Sequence, residues 1–391
     1  MWASRACVRL LGASTAAIVA SWMGVSSVHA LVFEAPVVVA SGFNGPYGIA
    51  VDPRGNAYVS QIQTGSVYKI TPQGTETTYF SDPAGPDALA MDPSGNLFVG
   101  FAGDGNVLEI APNGTQSTIT TPFGFNPIRG LAVDPADDLF LSGSFFVLEL
   151  TPGGTNTIEP KDTSPSALAV DPAGDLFILD TNANRVIEVT PHGKQIVVAS
   201  HLSSPDGVAV NSAGEVFIAD TDANKVIATT PYGPKATIDS DLTSPNEVAV
   251  DPSGDVFITE GQVNVPDGYL VELPVQPRIS VSCQHPAPGQ VKRVDHGQPV
   301  TISCTTLVRH PAALSSAPSP SGTVSFSVTP TGQAGESLVP TSCTLPATPG
   351  VRNDCVTELH TATPGTYTVN AQYQSDHTRQ YGSAQATVTL N

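Results

Sequence analysis

One short phrase returns six times along the first two thirds of this chain, and it constrains the fold more than any other feature. Ala50-Val51-Asp52-Pro53 is followed by Ala90-Met91-Asp92-Pro93, Ala132-Val133-Asp134-Pro135, Ala169-Val170-Asp171-Pro172, Ala209-Val210-Asn211-Ser212 and Ala249-Val250-Asp251-Pro252. From Asp52 onward the steps are 40, 42, 37, 40 and 40 residues. A second phrase trails the first: Ile70-Thr71-Pro72-Gln73-Gly74, then Pro112-Asn113-Gly114, Pro152-Gly153-Gly154, Pro191-His192-Gly193 and Pro231-Tyr232-Gly233. Asp-Pro-x-Gly after an apolar run spells a type I turn, in which Asp accepts from the backbone, Pro presets φ and Gly closes. Thr-Pro-x-Gly does the same. Between the turns lie apolar runs such as Leu97-Phe98-Val99 and Val216-Phe217-Ile218, which predict strands. One repeat therefore holds four short antiparallel strands, the content of a propeller blade.

The sixth repeat stops after its third strand, Tyr269 to Leu273, while an apolar segment, Val32 to Ala40, precedes the first repeat. That segment predicts the missing outer strand, so both ends of the repeat region share one blade and no long edge stays open. The expected architecture is all-β: a six-bladed β-propeller over residues 31–275, followed by an Ig-like β-sandwich over 276–391 and preceded by a signal peptide over 1–30.

The segment Ser204-Pro205-Asp206-Gly207-Val208-Ala209-Val210 through Asp220-Thr221-Asp222-Ala223-Asn224-Lys225-Val226 resembles an NHL repeat, as does Asp171 to Val186. The resemblance covers roughly residues 41–273 and implies the propeller. Gly45-Pro46-Tyr47-Gly48-Ile49-Ala50-Val51 with Ile70-Thr71-Pro72 is also similar to streptogramin lyases. Sugar lactonases and extracellular sensor domains of bacterial kinases share the fold, which alone does not choose among these functions.

Arg5 and Arg9 precede an uncharged apolar stretch, Leu10 to Val25, and Val28-His29-Ala30 supplies small residues for cleavage. This is the pattern of a secretory signal, and it places the protein outside the cell. Acidic residues outnumber basic ones 35 to 16, for a net charge of −19. Such a surface repels phosphate backbones and anionic lipid, so neither nucleic-acid binding nor membrane insertion is expected. Of the 5 cysteines, Cys283, Cys304, Cys343 and Cys355 lie beyond the repeats. Four cysteines in an exported chain predict two disulfides with three connectivities; Cys283–Cys304 and Cys343–Cys355, each closing a short local loop, are favoured. Strand-like runs at Ile279–Cys283, Val300–Thr306, Thr323–Val328, Cys355–Leu359, Thr366–Tyr373 and Ala384–Leu390 predict a sandwich. Gly365 to Tyr373 and Ala384 to Leu390 resemble bacterial Ig-like domains, and Pro311 to Pro320 is expected to be an exposed loop.

Propeller ligand sites lie at one mouth of the axial channel. Segments entering the inner strands put Tyr47, Asp87, Arg129, Ser166, Asp206 and Asn246 there, and the loops between second and third strands add Asp180, Asp220 and Glu260. The next residue in each inner strand is Gly48, Ala88, Gly130, Ala167, Gly207 and then Glu247. Small residues suit a crowded axis; a carboxylate there is costly unless solvated, paired or bound to a cation. In a six-fold ring the third and sixth blades face each other, which puts Arg129 opposite Glu247. Asp220-x-Asp222-x-Asn224 resembles the start of a calcium loop but lacks its Gly and distant Glu; capping of the turn and pairing with Lys225 or Arg185 is the better reading.

The repeat region holds only His192 and His201, no cysteine and no Gly-x-Ser-x-Gly elbow. Streptogramin lyases depend on several mouth histidines, so no catalytic residue is assigned and no resident metal or other cofactor is expected, a divalent cation at the mouth being the one cofactor the residues admit. The function these features support is binding of a protein, glycan or small molecule at the cell envelope by a monomer. The alternative is a metal-dependent lactonase-like hydrolase or lyase using Asp206, Asn246 and Glu247.

Overall fold

The computed structural model describes residue 33, residues 35–275 apart from 102, 104, 122–126, 144, 159–162 and 263–266, and, further on, 278–283, 300–309, 322–329, 337–345, 354–361, 365–375 and 380–390. The expected signal sequence and the Pro311 to Pro320 loop lie outside these residues. Between Val37 and Leu273 there are six four-stranded antiparallel sheets. In the first, Pro46–Val51, Ala57–Gln61, Ser66–Ile70 and Glu76–Ser81 lie side by side in chain order. The next four repeat that order, starting from Pro86–Met91, Gly130–Val133, Pro165–Val170 and Pro205–Val210. The sixth runs through Pro245–Val250, Val256–Glu260 and Gly268–Leu273 and takes its outer strand from Val37–Phe43. The starting strands are neighbours in cyclic order, with the sixth beside the first, so the sheets close around an axis as a β-propeller.

The closing strand begins later than the expected Val32. Pro36 has no N–H to give a ladder, and pairing starts with Val37 against Glu272. Phe33 nevertheless bridges Val275 and sets its ring edge-on against Phe217, 6.2 Å between centroids.

Second strands such as Leu97–Phe101 and Val216–Asp220 are buried along their whole length, pressed between adjacent sheets. This is why they read as continuous apolar runs without alternation. The two recurring phrases form the turns on the face away from the mouth. Asp52 Oδ1 accepts from Arg54 and Asn56 N–H, and Gly55 N–H returns to the Asp52 carbonyl at 2.9 Å with φ 78°. The phrases recur together because the turns stack. Pro72, Pro112 and Pro191 sit over Gly55, Gly95 and Gly174, where a Cβ on the glycine would just reach van der Waals contact with the proline ring.

Beyond the repeats are two further four-stranded sheets. One holds Arg278–Cys283, Val300–Arg309, Asp354–Thr361 and Ser337–Val339, and the other Ser342–Leu345, Gly322–Thr329, Gly365–Ser375 and Gln380–Leu390. Val324, Phe326, Leu338, Leu359, Tyr367 and Tyr373 from both sheets share one core. Ser337–Val339 and Ser342–Leu345 escape the sequence reading because they are short and serine-rich. The disulfides are Cys283–Cys304, across an in-register strand pair, and Cys343–Cys355, which joins the two sheets. Among the described residues no helix is long and apolar enough to cross a membrane.

Candidate functional site

Where the six inner strands converge, a cavity of about 40 Å³ opens on the axis, room for about three waters at ~10–15 Å³ each. Its polar lining comes from Tyr47, Arg129 and Glu247, and its remainder from glycine, alanine and aliphatic residues such as Leu89, Leu168 and Val208. The expected small residues around the axis have a direct cause. A Cβ on Gly48 would overlap the Asp87 carbonyl, and one on Gly130 the Ser166 carbonyl, each belonging to the next sheet.

Glu247 breaks that rule by leaning back over the fifth sheet. A Cβ on Gly207 would lie 2.6 Å from Glu247 Oε1, so the carboxylate fills space that a glycine leaves. Oε1 accepts from Val208 N–H at 3.0 Å and Val248 N–H at 3.2 Å, which ties the sixth sheet to the fifth. Burial raises its proton affinity well above the usual carboxylate range. The two N–H donors oppose the rise, and Asp206 and Asp87 add to it. Arg129 and Glu247 thus border one cavity, yet no ion pair joins them among the described residues.

Tyr47 reaches toward the carboxylates of three other sheets. Burial, then Asp206, Asp87 and Glu247, raise its hydroxyl far above the ordinary phenol range, with Arg129 opposing. Asp87 is 8% exposed and its Oδ1 has no hydrogen-bond partner among the described residues. Burial lifts its pKa to about 7 against the pull of Arg129. Asp206 is raised as well, by burial and then by Asp222, with a hydrogen bond from Thr221 opposing. The axial cavity is therefore bordered by a phenol, a guanidinium and the Glu247 carboxyl, with the charges of Asp87 and Asp206 near enough to act on Tyr47. It can donate hydrogen bonds to a carbonyl or carboxylate guest and pair a negative guest with Arg129.

Other residues expected at the mouth serve the scaffold. Asn246 Nδ2 donates to the Pro46 carbonyl at 2.7 Å and the Gly261 carbonyl at 3.0 Å, fastening the sixth sheet to the first. Glu260 is buried and accepts from Thr243 N–H at 2.8 Å, just before its own inner strand. Asp180 and Asp220 hold the same register, accepting from Ser164 N–H and Ser203 N–H. They also pair with Arg185 at 2.8 Å and Lys225 at 3.4 Å. Asn224, in the left-handed region at φ 52°, accepts from Ser244 N–H with its side-chain oxygen. The Asp220-x-Asp222-x-Asn224 segment is thus a single 3₁₀ turn: Asp220 pairs with Lys225 as expected, but its side chain does not cap the turn. Ser166 is buried and donates to Leu179. His192 and His201 are exposed, and neither lines the cavity.

The sequence reading missed three buried hydroxyls. Ser60 donates to the Asp87 carbonyl, Ser142 to the Ser166 carbonyl and Thr259 to the Tyr47 carbonyl, at 2.5–2.8 Å, each bridging neighbouring sheets at the axis. Their signal was a lone Ser or Thr inside an otherwise apolar second strand.

No family model matches the sequence, and no curated protein does. The fold is similar to that of a gluconolactonase from Xanthomonas campestris, at 15% identity over 61% of this chain and 89% of that one, TM-score 0.54. It is similar to the calcium-binding protein regucalcin from Agrobacterium tumefaciens, at 18% identity over 62% of this chain and 94% of that one, TM-score 0.52. A streptogramin B lyase aligns at 13% identity over 60% of this chain and 94% of that one, TM-score 0.49. At such identities the likeness bears on the fold alone.

Proposed function

We propose that this chain is an exported binding protein: a six-bladed NHL-type propeller whose axial cavity receives a polar group of a protein, glycan or small-molecule partner at the cell envelope. The C-terminal sandwich is read as an Ig-like domain acting as spacer or second contact. The observation that carries the proposal is the convergence of Tyr47, Arg129 and Glu247 on one axial cavity, with the Arg129 guanidinium free of any ion pair to a described residue. A guanidinium with no ion-pair partner among the described residues, beside the Tyr47 phenol, suits a carboxylate or carbonyl oxygen. Two disulfides suit an oxidising compartment.

A thermal-shift screen of carboxylates, uronic acids and lactones at millimolar concentration tests this. We expect stabilisation of about 2–3 kcal/mol at a hundredfold excess over Kd, lost in Arg129→Ala. A stabilising ligand that works equally well on Arg129→Ala counts against the axial site.

The second reading, a lactonase-like hydrolase, draws on the gluconolactonase fold. Its cation would need Asp206, Asn246 and Glu247. Asn246 spends its amide on two carbonyls and Glu247 commits Oε1 to two N–H groups. Among the described residues no group of three His, Cys, Asp or Glu side chains is arranged to hold an ion. These residues do not fit the group, so no hydrolytic step is derived through it. Turnover of any lactone found in the screen, monitored by acid release, would favour this reading over the first.

A further inference from the structure

We propose, on the reading of the axial cavity as a binding site, that its guest is a small apolar carboxylic acid, with the carboxylate at Arg129 and the apolar body on Phe145 at the lip of the third sheet. The sheets do not stand equally tall at the mouth. Ser60 and Ser142 mark one level, since each donates from a second strand to the carbonyl at the head of the next inner strand. One step further on, Gln61 pairs with Ser66, which leaves Ile62 to Gly65 to make the turn. The fourth and fifth sheets match this, with Asp180 paired to Arg185 and Asp220 to Lys225. In the third sheet Gly143 stands at the level of Gln61, and its N–H closes on the Phe146 carbonyl at 3.0 Å. Its turn is therefore two residues shorter than those of the first, fourth and fifth sheets, and the wall of the mouth is lower there.

Arg129 enters the axis beside this shortened turn, where its N–H donates to the Ser142 carbonyl at 3.3 Å. Of the six residues that head the inner strands, only Arg129 is exposed. The turns of the first, fourth and fifth sheets present polar tips, Gln63, Asn182 and Asp222. The third presents Phe145 instead, 75% exposed. Phe145 lies outward of Arg129 by between one and two strand spacings, roughly 5–10 Å. A cavity of about 40 Å³ has room for a carboxylate and little more, so the rest of a guest held by Arg129 must pass out of the mouth. The low side of that mouth leads over the Phe145 ring. A chain of net charge −19 disfavours a guest with a second acidic group. One charged and one apolar contact so close together match the whole of a small molecule rather than one end of a polymer. Removing about 60 Å² of apolar surface from water is enough for a tenfold gain in affinity, and an exposed ring stacked on another supplies it.

Calorimetric titration of the full chain with acetate, phenylpropionate and phenylpropionamide tests this. We expect phenylpropionate to bind at least tenfold tighter than either of the others. Phe145→Ala, a change at the surface, should bring the ratio of phenylpropionate to acetate affinity close to one. Tyr232→Ala removes the exposed ring of the opposite face and should keep that ratio at its parent value. Equal affinities for the two acids in the parent, or a preference that survives in Phe145→Ala, would overturn the assignment of the guest while leaving the axial site in place. A pentapeptide ending in phenylalanine that binds tenfold tighter than phenylpropionate would overturn it in favour of a chain terminus. No heat from either acid, or binding of both undiminished in Arg129→Ala, would overturn the axial reading as well.

Discussion

Replacing Gly48 with alanine should destabilise the propeller by about 3 kcal/mol or more, lowering Tm by about 6–12 °C. A Cβ there would overlap the Asp87 carbonyl and approach Ser60 Oγ to 2.9 Å. Neither neighbour can withdraw cheaply. Asp87 O accepts from Ser60 Oγ at 2.7 Å, and that same Oγ accepts from Gly48 N–H at 2.9 Å, so one buried hydroxyl sets the spacing of the first and second sheets. Overpacked sites of this kind relax through backbone shifts, and here the shift would propagate around a closed ring. Gly153→Ala is the matched control, since its Cβ would meet nothing nearer than Thr151 Oγ1 at 3.5 Å. Calorimetric unfolding of both variants decides the matter. Equal Tm values would show that the inner strands are not held at the spacing described. Ser60→Ala in the Gly48→Ala background separates the two contacts: recovery of Tm would assign the limit to the hydroxyl, continued loss to the carbonyl.

The ring was legible in the sequence because its causes are local. A turn needs Asp, Pro and Gly at fixed offsets, and a strand buried on both faces needs an unbroken apolar run, so a period near 40 residues exposes both. The closing strand was legible from an imbalance between the two ends. The axial site was legible only in part. Tyr47, Arg129 and Glu247 line the cavity, whereas Asn246 and Glu260 fasten strands. A polar residue at the head of an inner strand answers two different demands, a ligand's or a neighbouring carbonyl's, and sequence position does not separate them. Glu247 answers both, with Oε1 on the Val208 N–H and a face on the cavity. The bridging hydroxyls were passed over for the converse reason. Ser60 and Ser142 sit in register with Gly100 and Ala219 of other sheets, where no hydroxyl is present, so they read as small residues filling a tight place.

Stability should fall as pH rises from about 4.5 to 8, the reverse of ordinary acid denaturation. Asp87, Asp138, Asp175, Glu188, Asp206, Glu247, Asp251 and Glu260 are all raised, burial being the first cause in each. A carboxyl that holds its proton longer in the folded state contributes stability below its unfolded pKa. It loses that contribution as pH rises through the folded value, because there the unfolded chain binds fewer protons. For Asp87 the window runs from 3.8 to about 7. At 1.36 kcal/mol per pKa unit this is on the order of 4 kcal/mol. Tm measured between pH 4.5 and 8 should decline, and Asp87→Asn and Glu247→Gln should each flatten the slope; a Tm that climbs with pH would contradict the burial described for both. The same titration changes what the axial site can hold. Below pH 7 Asp87 is neutral and Arg129 dominates, so an anionic guest is favoured. Above it the Asp87 charge offsets Arg129, and that guest should bind more weakly. A carboxylate ligand binding severalfold tighter at pH 6 than at pH 8, with the difference lost in Asp87→Asn, would tie the proton held at Asp87 to recognition at the axis.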